Sequence, residues 1–131
     1  MAVGPPQAAS SGERGLVQLL EQCPGLDAVF ASNDQMALGL LQAARRLGRR
    51  VPDDLAVVGF DDIPEAAFFH PPLTTVRQEL IELGAQAVQA VTRRIEAMHH
   101  RPHEAGALPS QPQQLAPRLI VRASSTPGPL V

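Results

Sequence analysis

Two short apolar runs, Asp27–Ala31 and Leu55–Phe60, flank a single helical pattern, and that arrangement leaves few folds open. The first run carries β-branched and aromatic residues between turn formers, which predicts a buried strand. Ser32 and Gln35 have the spacing of a capping box, and Asp34 suits the positive end of a helix dipole. From Gln35 to Leu47 the residues Met36, Leu40, Ala43, Ala44 and Leu47 share one helical face. Gly48 is the expected stop, with Arg45, Arg46, Arg49 and Arg50 crowding the negative end. The second strand, Leu55–Phe60, ends in Asp61-Asp62. A third strand is predicted over Leu73–Val76, a long helix over Glu79–Met98 and a last strand over Leu119–Ala123. In that helix Leu80, Leu83, Ala87, Val91 and Ile95 are in phase. Strands alternating with helices predict an α/β fold, a parallel sheet with helices on both faces.

The rest of the chain is less regular. Met1–Ser11 reads as a flexible lead-in, and Ser10 with Glu13 as a capping box for a helix through Leu16, Val17, Leu19 and Leu20. Cys23-Pro24-Gly25 ends that helix. His99–Pro117 reads as a long loop, and the chain closes in a Pro/Gly-rich tail reaching Val131. At 131 residues the chain has one domain's length. No apolar run is long enough to span a bilayer, and a lone cysteine cannot build a disulfide framework. Met1–Ser11 lacks the basic start and apolar stretch of a signal peptide, so the expected location is the cytoplasm. A net charge of −2 does not draw the chain to polyanions, and four phenylalanines are too few rings for a base-stacking platform.

Asn33 and Asp61 follow the first and second predicted strands directly. Parallel sheets bind ligands at the carboxyl ends of their strands, so both residues should face that crevice. An amide and a carboxylate there suit a hydroxyl-rich small molecule, although such residues also serve as helix caps and turn formers. Asp61 and Asp62 with Asp34 offer a second reading, a metal-dependent phosphotransfer site, for which no P-loop or phosphate-cradling glycine run is present. His99, His100, His103 and Glu104 cluster without the rigid spacing of a metal site. The arginines near Gly48 are accounted for by their helix end, and Cys23 has no histidine near it in sequence. No cofactor is expected.

The run DAVFASNDQMALGLLQAARRLGRRVPDDLAVVGFDDIPEAAFFHPPLTTVRQ, Asp27 to Gln78, resembles the effector-binding domain of the lactose-repressor/galactose-repressor family of bacterial transcription regulators. Leu83-Gly84 and the closing LAPRLIVRASST, Leu115 to Thr126, are similar to it too. The resemblance implies a periplasmic-binding-protein-like domain of two lobes with a small effector, often a sugar or nucleoside-type molecule, between them. It places residues 12–78 in the C-terminal lobe, and residues 79–126 in a crossover helix, loop and strand shared with a first lobe. It puts effector contacts on Asn33 and Asp61, further effector or hinge positions on Gln78 and Leu80, and a homodimer face on Met36, Leu38 and Phe69. Operator DNA would be read by a helix-turn-helix that this sequence does not contain. The implied role is not enzymatic. A periplasmic sugar-binding protein of the same fold is the nearest rival, and it needs an export signal.

Overall fold

The computed structural model describes residues 8–100 and 114–126. Along the chain run α1 (Ala8–Gln22), β1 (Ala28–Phe30), α2 (Asp34–Arg46), β2 (Ala56–Asp61), a 3-10 turn (Pro64–Phe68), β3 (Thr74–Arg77), α3 (Leu80–His100) and β4 (Arg118–Ile120). These fall into two units, one holding the chain up to Arg77 and from Arg118 onward, the other holding Gln78–Pro117.

In the first unit the sheet order is β1-β2-β3-β4. β1, β2 and β3 are mutually parallel, as the alternating pattern requires. β4 is antiparallel to β3, with Thr75 opposite Ile120 and Arg77 opposite Arg118, so the all-parallel expectation is corrected at this strand. The cause is the segment that follows it. Ser124 is fully buried; its hydroxyl donates to the Val57 carbonyl at 2.6 Å and accepts from the Thr74 N–H at 2.8 Å. Its N–H reaches the Pro72 carbonyl. All three partners lie at the starting ends of β2 and β3, so the chain must run back down beside β3 to reach them. The family resemblance groups this strand with the long helix; here it pairs with β3 and falls in the same unit as β1–β3. β1 also departs from expectation: it forms the other edge, and Phe30 is 61% exposed with its ring edge-on to Phe60.

The core is built from Leu16, Ala31, Ala37, Leu40, Leu41, Ala43, Ala44, Leu55, Val57, Ala66 and Leu73. Small residues let α1 and α2 approach until their backbones touch. A Cβ on Gly12 would fall on the Met36 carbonyl, and one on Gly39 would fall on the Ala9 carbonyl. Glu13 pairs with Arg46 across the same seam. α1 spans Ala8–Gln22, so Ser10 and Ser11 belong to the helix and not to a lead-in, and the Ser10–Glu13 pair is internal to it. In an ordinary helix Gly39→Ala would stabilise by about 1 kcal/mol. Here it should destabilise by about 2–3 kcal/mol, because α1 must be lifted from α2. Thermal melts of the two proteins check the sign.

In the second unit α3 begins one residue later than the pattern predicts and runs on to His100, with no buried residue. His99 and His100 sit in its last turn, where the His99 ring nitrogen contacts the Ile95 carbonyl at 2.9 Å. His103 and Glu104, the rest of the histidine cluster, lie outside the described residues, as do Met1–Gln7, most of the predicted loop and the tail beyond Thr126. No helix among the described residues is long and apolar enough to cross a membrane.

Candidate functional site

Parallel strands bring their carboxyl ends to one edge, and the residues that follow β1 and β2 meet there. The Ala31 N–H donates to the Val58 carbonyl at 2.8 Å, extending the pairing one residue past β1 before the chain turns into α2. The cap of α2 is Asn33 and not Ser32: its Oδ1 accepts from the Met36 N–H at 2.8 Å. Ser32 Oγ instead lies 3.1 Å from Met36 Sδ. Capping occupies the oxygen of the Asn33 amide and leaves the nitrogen, with its two protons, as the group suited to a ligand. Asn33 can therefore cap α2 and meet a ligand at once, because each role uses a different atom.

Asp61 is the last residue of β2, level with Arg77 at the end of β3, and it is exposed. Its φ of 115° lies in a region that side chains disfavour, and Asp62 follows at 53°. Such conformations typically cost about 1–3 kcal/mol each and persist only where the surroundings enforce them. Here the enforcement is visible. The Asp62 side chain is 4% exposed between two arginines, with Arg77 Nε donating to Oδ2 at 2.5 Å and Arg122 Nη2 standing 2.8 Å from Oδ1. The second contact is an ion pair by distance without hydrogen-bond alignment. Burial alone would raise the Asp62 pKa; the two guanidiniums outweigh it and hold the carboxyl below its ordinary value. A depressed carboxyl stabilises the fold above its unfolded pKa of about 3.9, and that contribution is lost as pH falls through the folded value. Half-buried Asp54, lowered to about 2 by hydrogen bonds from Arg50, acts in the same direction. Melting temperature should therefore hold between pH 7 and 5 and fall below about pH 4. Asp62→Asn should flatten that fall, as melts in a pH series would record.

Behind the edge sits Asp34, with no exposed surface. Its Oδ1 accepts from the Thr75 hydroxyl at 2.6 Å and its Oδ2 from the Ile63 N–H at 2.9 Å. With Asp34 turned inward and Asp62 held by arginines, the proposed acidic metal cluster does not assemble. Among the described residues no three histidines, cysteines or acids are placed to share an ion.

A family profile described as a periplasmic binding protein-like domain matches residues 2–125 of this chain. The chain belongs to that family. The relatives and solved structures it matches are transcriptional repressors and regulators, LacI-type ones among them. The HTH-type transcriptional repressor PurR of Escherichia fergusonii is 39% identical over 119 residues, which cover 91% of this chain and 33% of PurR. The ribose operon repressor of Halalkalibacterium halodurans is 46% identical over 78 residues, covering 60% of this chain and 24% of that protein. The crystal structure of the lac repressor dimer bound to operator and the anti-inducer ONPF superposes with a TM-score of 0.70 at 31% identity. It is matched over 89% of this chain and 38% of the lac repressor chain. The chain thus spans about a third or less of the curated relatives' length.

In this LacI-type chain the other predicted positions are spread over both units. Gln78 and Leu80 lie in the second unit, where Gln78 is half-buried and Leu80 opens α3 with its side chain exposed. Leu38 is 43% exposed on α2, while Met36 and Phe69 pack against the core and Phe68 is the exposed ring of that pair. Sequence reasoning did not single out Thr75, Arg77 and Arg122. Two signals pointed toward them: Gly59 inside a strand, which marks a close approach, and the doubled aspartate after it. A Cβ on Gly59 would meet Asp34 Oδ1 and would stand 2.9 Å from Leu73 Cδ2.

Proposed function

We propose that this chain supplies the part of a LacI-type effector-binding domain that grips a small polar metabolite through Asn33 and Asp61. The supporting observation is their placement at the neighbouring carboxyl ends of the parallel strands β1 and β2, one presenting amide protons and the other a carboxylate. Alternating donors and acceptors fit vicinal hydroxyls or the polar edge of a nucleobase. A sugar such as ribose heads the list, in line with the ribose operon repressor among the relatives.

In the assembled regulator the chain pairs with a second copy through the face carrying Met36, Leu38 and Phe69, and operator DNA is read by a helix-turn-helix. Effector binding shifts the balance between two lobe arrangements, and the shift is bounded by the effector's differential affinity for them. The setting is the cytoplasm, and no bond is made or broken in the ligand.

Asn33→Asp tests the assignment cleanly, because aspartate caps a helix as well as asparagine does but carries no amide protons. Calorimetric titration with ribose and with hypoxanthine should give saturable one-site binding for at least one of them. The substitution should weaken it by roughly tenfold or more, the worth of one lost hydrogen bond, with an unchanged melting temperature. Equal affinity in the two proteins would remove Asn33 from the site.

A further inference from the structure

Each of the two effector residues is followed in sequence by a buried aspartate side chain: Asn33 by Asp34, and Asp61 by Asp62. One hydroxyl joins these two aspartates. Thr75 Oγ1 donates to Asp34 Oδ1 at 2.6 Å and accepts from the Asp62 N–H at 3.3 Å. Thr75 is fully buried in β3, the strand next to β2, and its carbon skeleton has no freedom to swing away. The remaining groups of the two aspartates are engaged as well, Asp34 Oδ2 by the Ile63 N–H and the Asp62 carboxylate by Arg77 and Arg122. The bridge therefore starts next to the cap of α2 and ends at the strained backbone of Asp61 and Asp62.

We infer that Thr75 is a positioning residue for the effector site, setting the Asn33 amide and the Asp61 carboxylate at a fixed relative placement through Asp34 and Asp62. It touches no ligand itself. The inference rests on the effector reading of Asn33 and Asp61 and adds how the two are held together. A hydroxyl suits this task because it can donate to a carboxylate and accept from an N–H at once, which no apolar isostere can do. A serine keeps both bonds; a valine of nearly the same shape keeps neither. Ligand groups held by two residues on separate elements lose affinity steeply when their spacing relaxes.

The test uses the whole chain and ribose as probe. In the unmodified protein the Thr75 hydroxyl proton should give a slowly exchanging NMR signal, and its absence would overturn the inference without any variant being made. Thr75→Val should weaken ribose binding by tenfold or more and shift the side-chain amide signal of Asn33 together with the backbone signal of Asp61. Thr75→Ser should restore affinity to within about threefold and return both signals. A valine variant that binds ribose as the parent does, or a serine variant as impaired as the valine, contradicts the inference. If the parent protein binds no ribose, the choice of ligand fails separately. The hydroxyl signal and the paired Asn33 and Asp61 shifts then decide the positioning claim on their own.

Discussion

Asp34→Ala should cost about 3 kcal/mol, lowering the melting temperature of this chain by roughly 10 °C. The carboxylate is buried and accepts from the Thr75 hydroxyl and the Ile63 N–H. Alanine strands both donors, each at about 1–3 kcal/mol, and leaves the space that Gly59 keeps open for the carboxylate unfilled. A loss of that size is a large share of the 5–15 kcal/mol that holds an ordinary domain folded. Asparagine should cost less, about 1–2 kcal/mol, because one of its atoms still accepts and the other cannot. Denaturant melts of the parent and both variants give the ordering: parent, then Asn, then Ala. An alanine variant as stable as the parent would mean that the carboxylate does not hold the turn after β2.

Asp61→Gly should move stability and binding in opposite directions. Glycine adopts a φ of 115° without penalty, so relief of strain should raise stability by about 1 kcal/mol or more. The same change removes the carboxylate and should weaken effector binding by roughly 100-fold, the upper range for a charge-assisted hydrogen bond. Asp61→Ala separates the two effects, since it loses the carboxylate and keeps the strain. The expected pattern is two variants equally poor at binding, of which only the glycine melts above the parent. Equal melting temperatures for glycine and alanine would show that the backbone at this position carries no strain. A residue kept in a costly conformation where glycine would relax it is the mark of a side chain retained for function.

Much of this protein is legible in local sequence patterning. The β1–α2–β2 order, the stop at Gly48 with its φ of 70°, and the strand-end placement of Asn33 and Asp61 all follow from neighbours in sequence. What stayed hidden depends on partners far apart along the chain. Ser124 meets Val57 and Thr74, and this contact reverses β4; nothing in Leu119–Ala123 alone announces a direction. Nothing local to Arg77 or Arg122 marks either as a partner of Asp62, 15 and 60 residues away in sequence. The Ser32–Gln35 spacing pointed to the wrong cap because Asn33, equally able to cap, stands one residue nearer the helix. Gly12 and Gly39 look like weak points in helices until each is seen against the other helix's backbone. In the candidate site, the strand-end positions of Asn33 and Asp61 were legible from topology, whereas the side chains that surround them were not.

A polar metabolite docking at the carboxyl edge of β1 and β2 is what the proposed function requires. Its most direct test is a crystal structure of the chain with whichever of ribose or hypoxanthine gives heat on titration. Ligand polar atoms are expected within hydrogen-bond distance of both the Asn33 side-chain nitrogen and the Asp61 carboxylate. Density for the ligand at the opposite end of the strands, beside Leu55 and Leu73, with neither Asn33 nor Asp61 in contact, would contradict it.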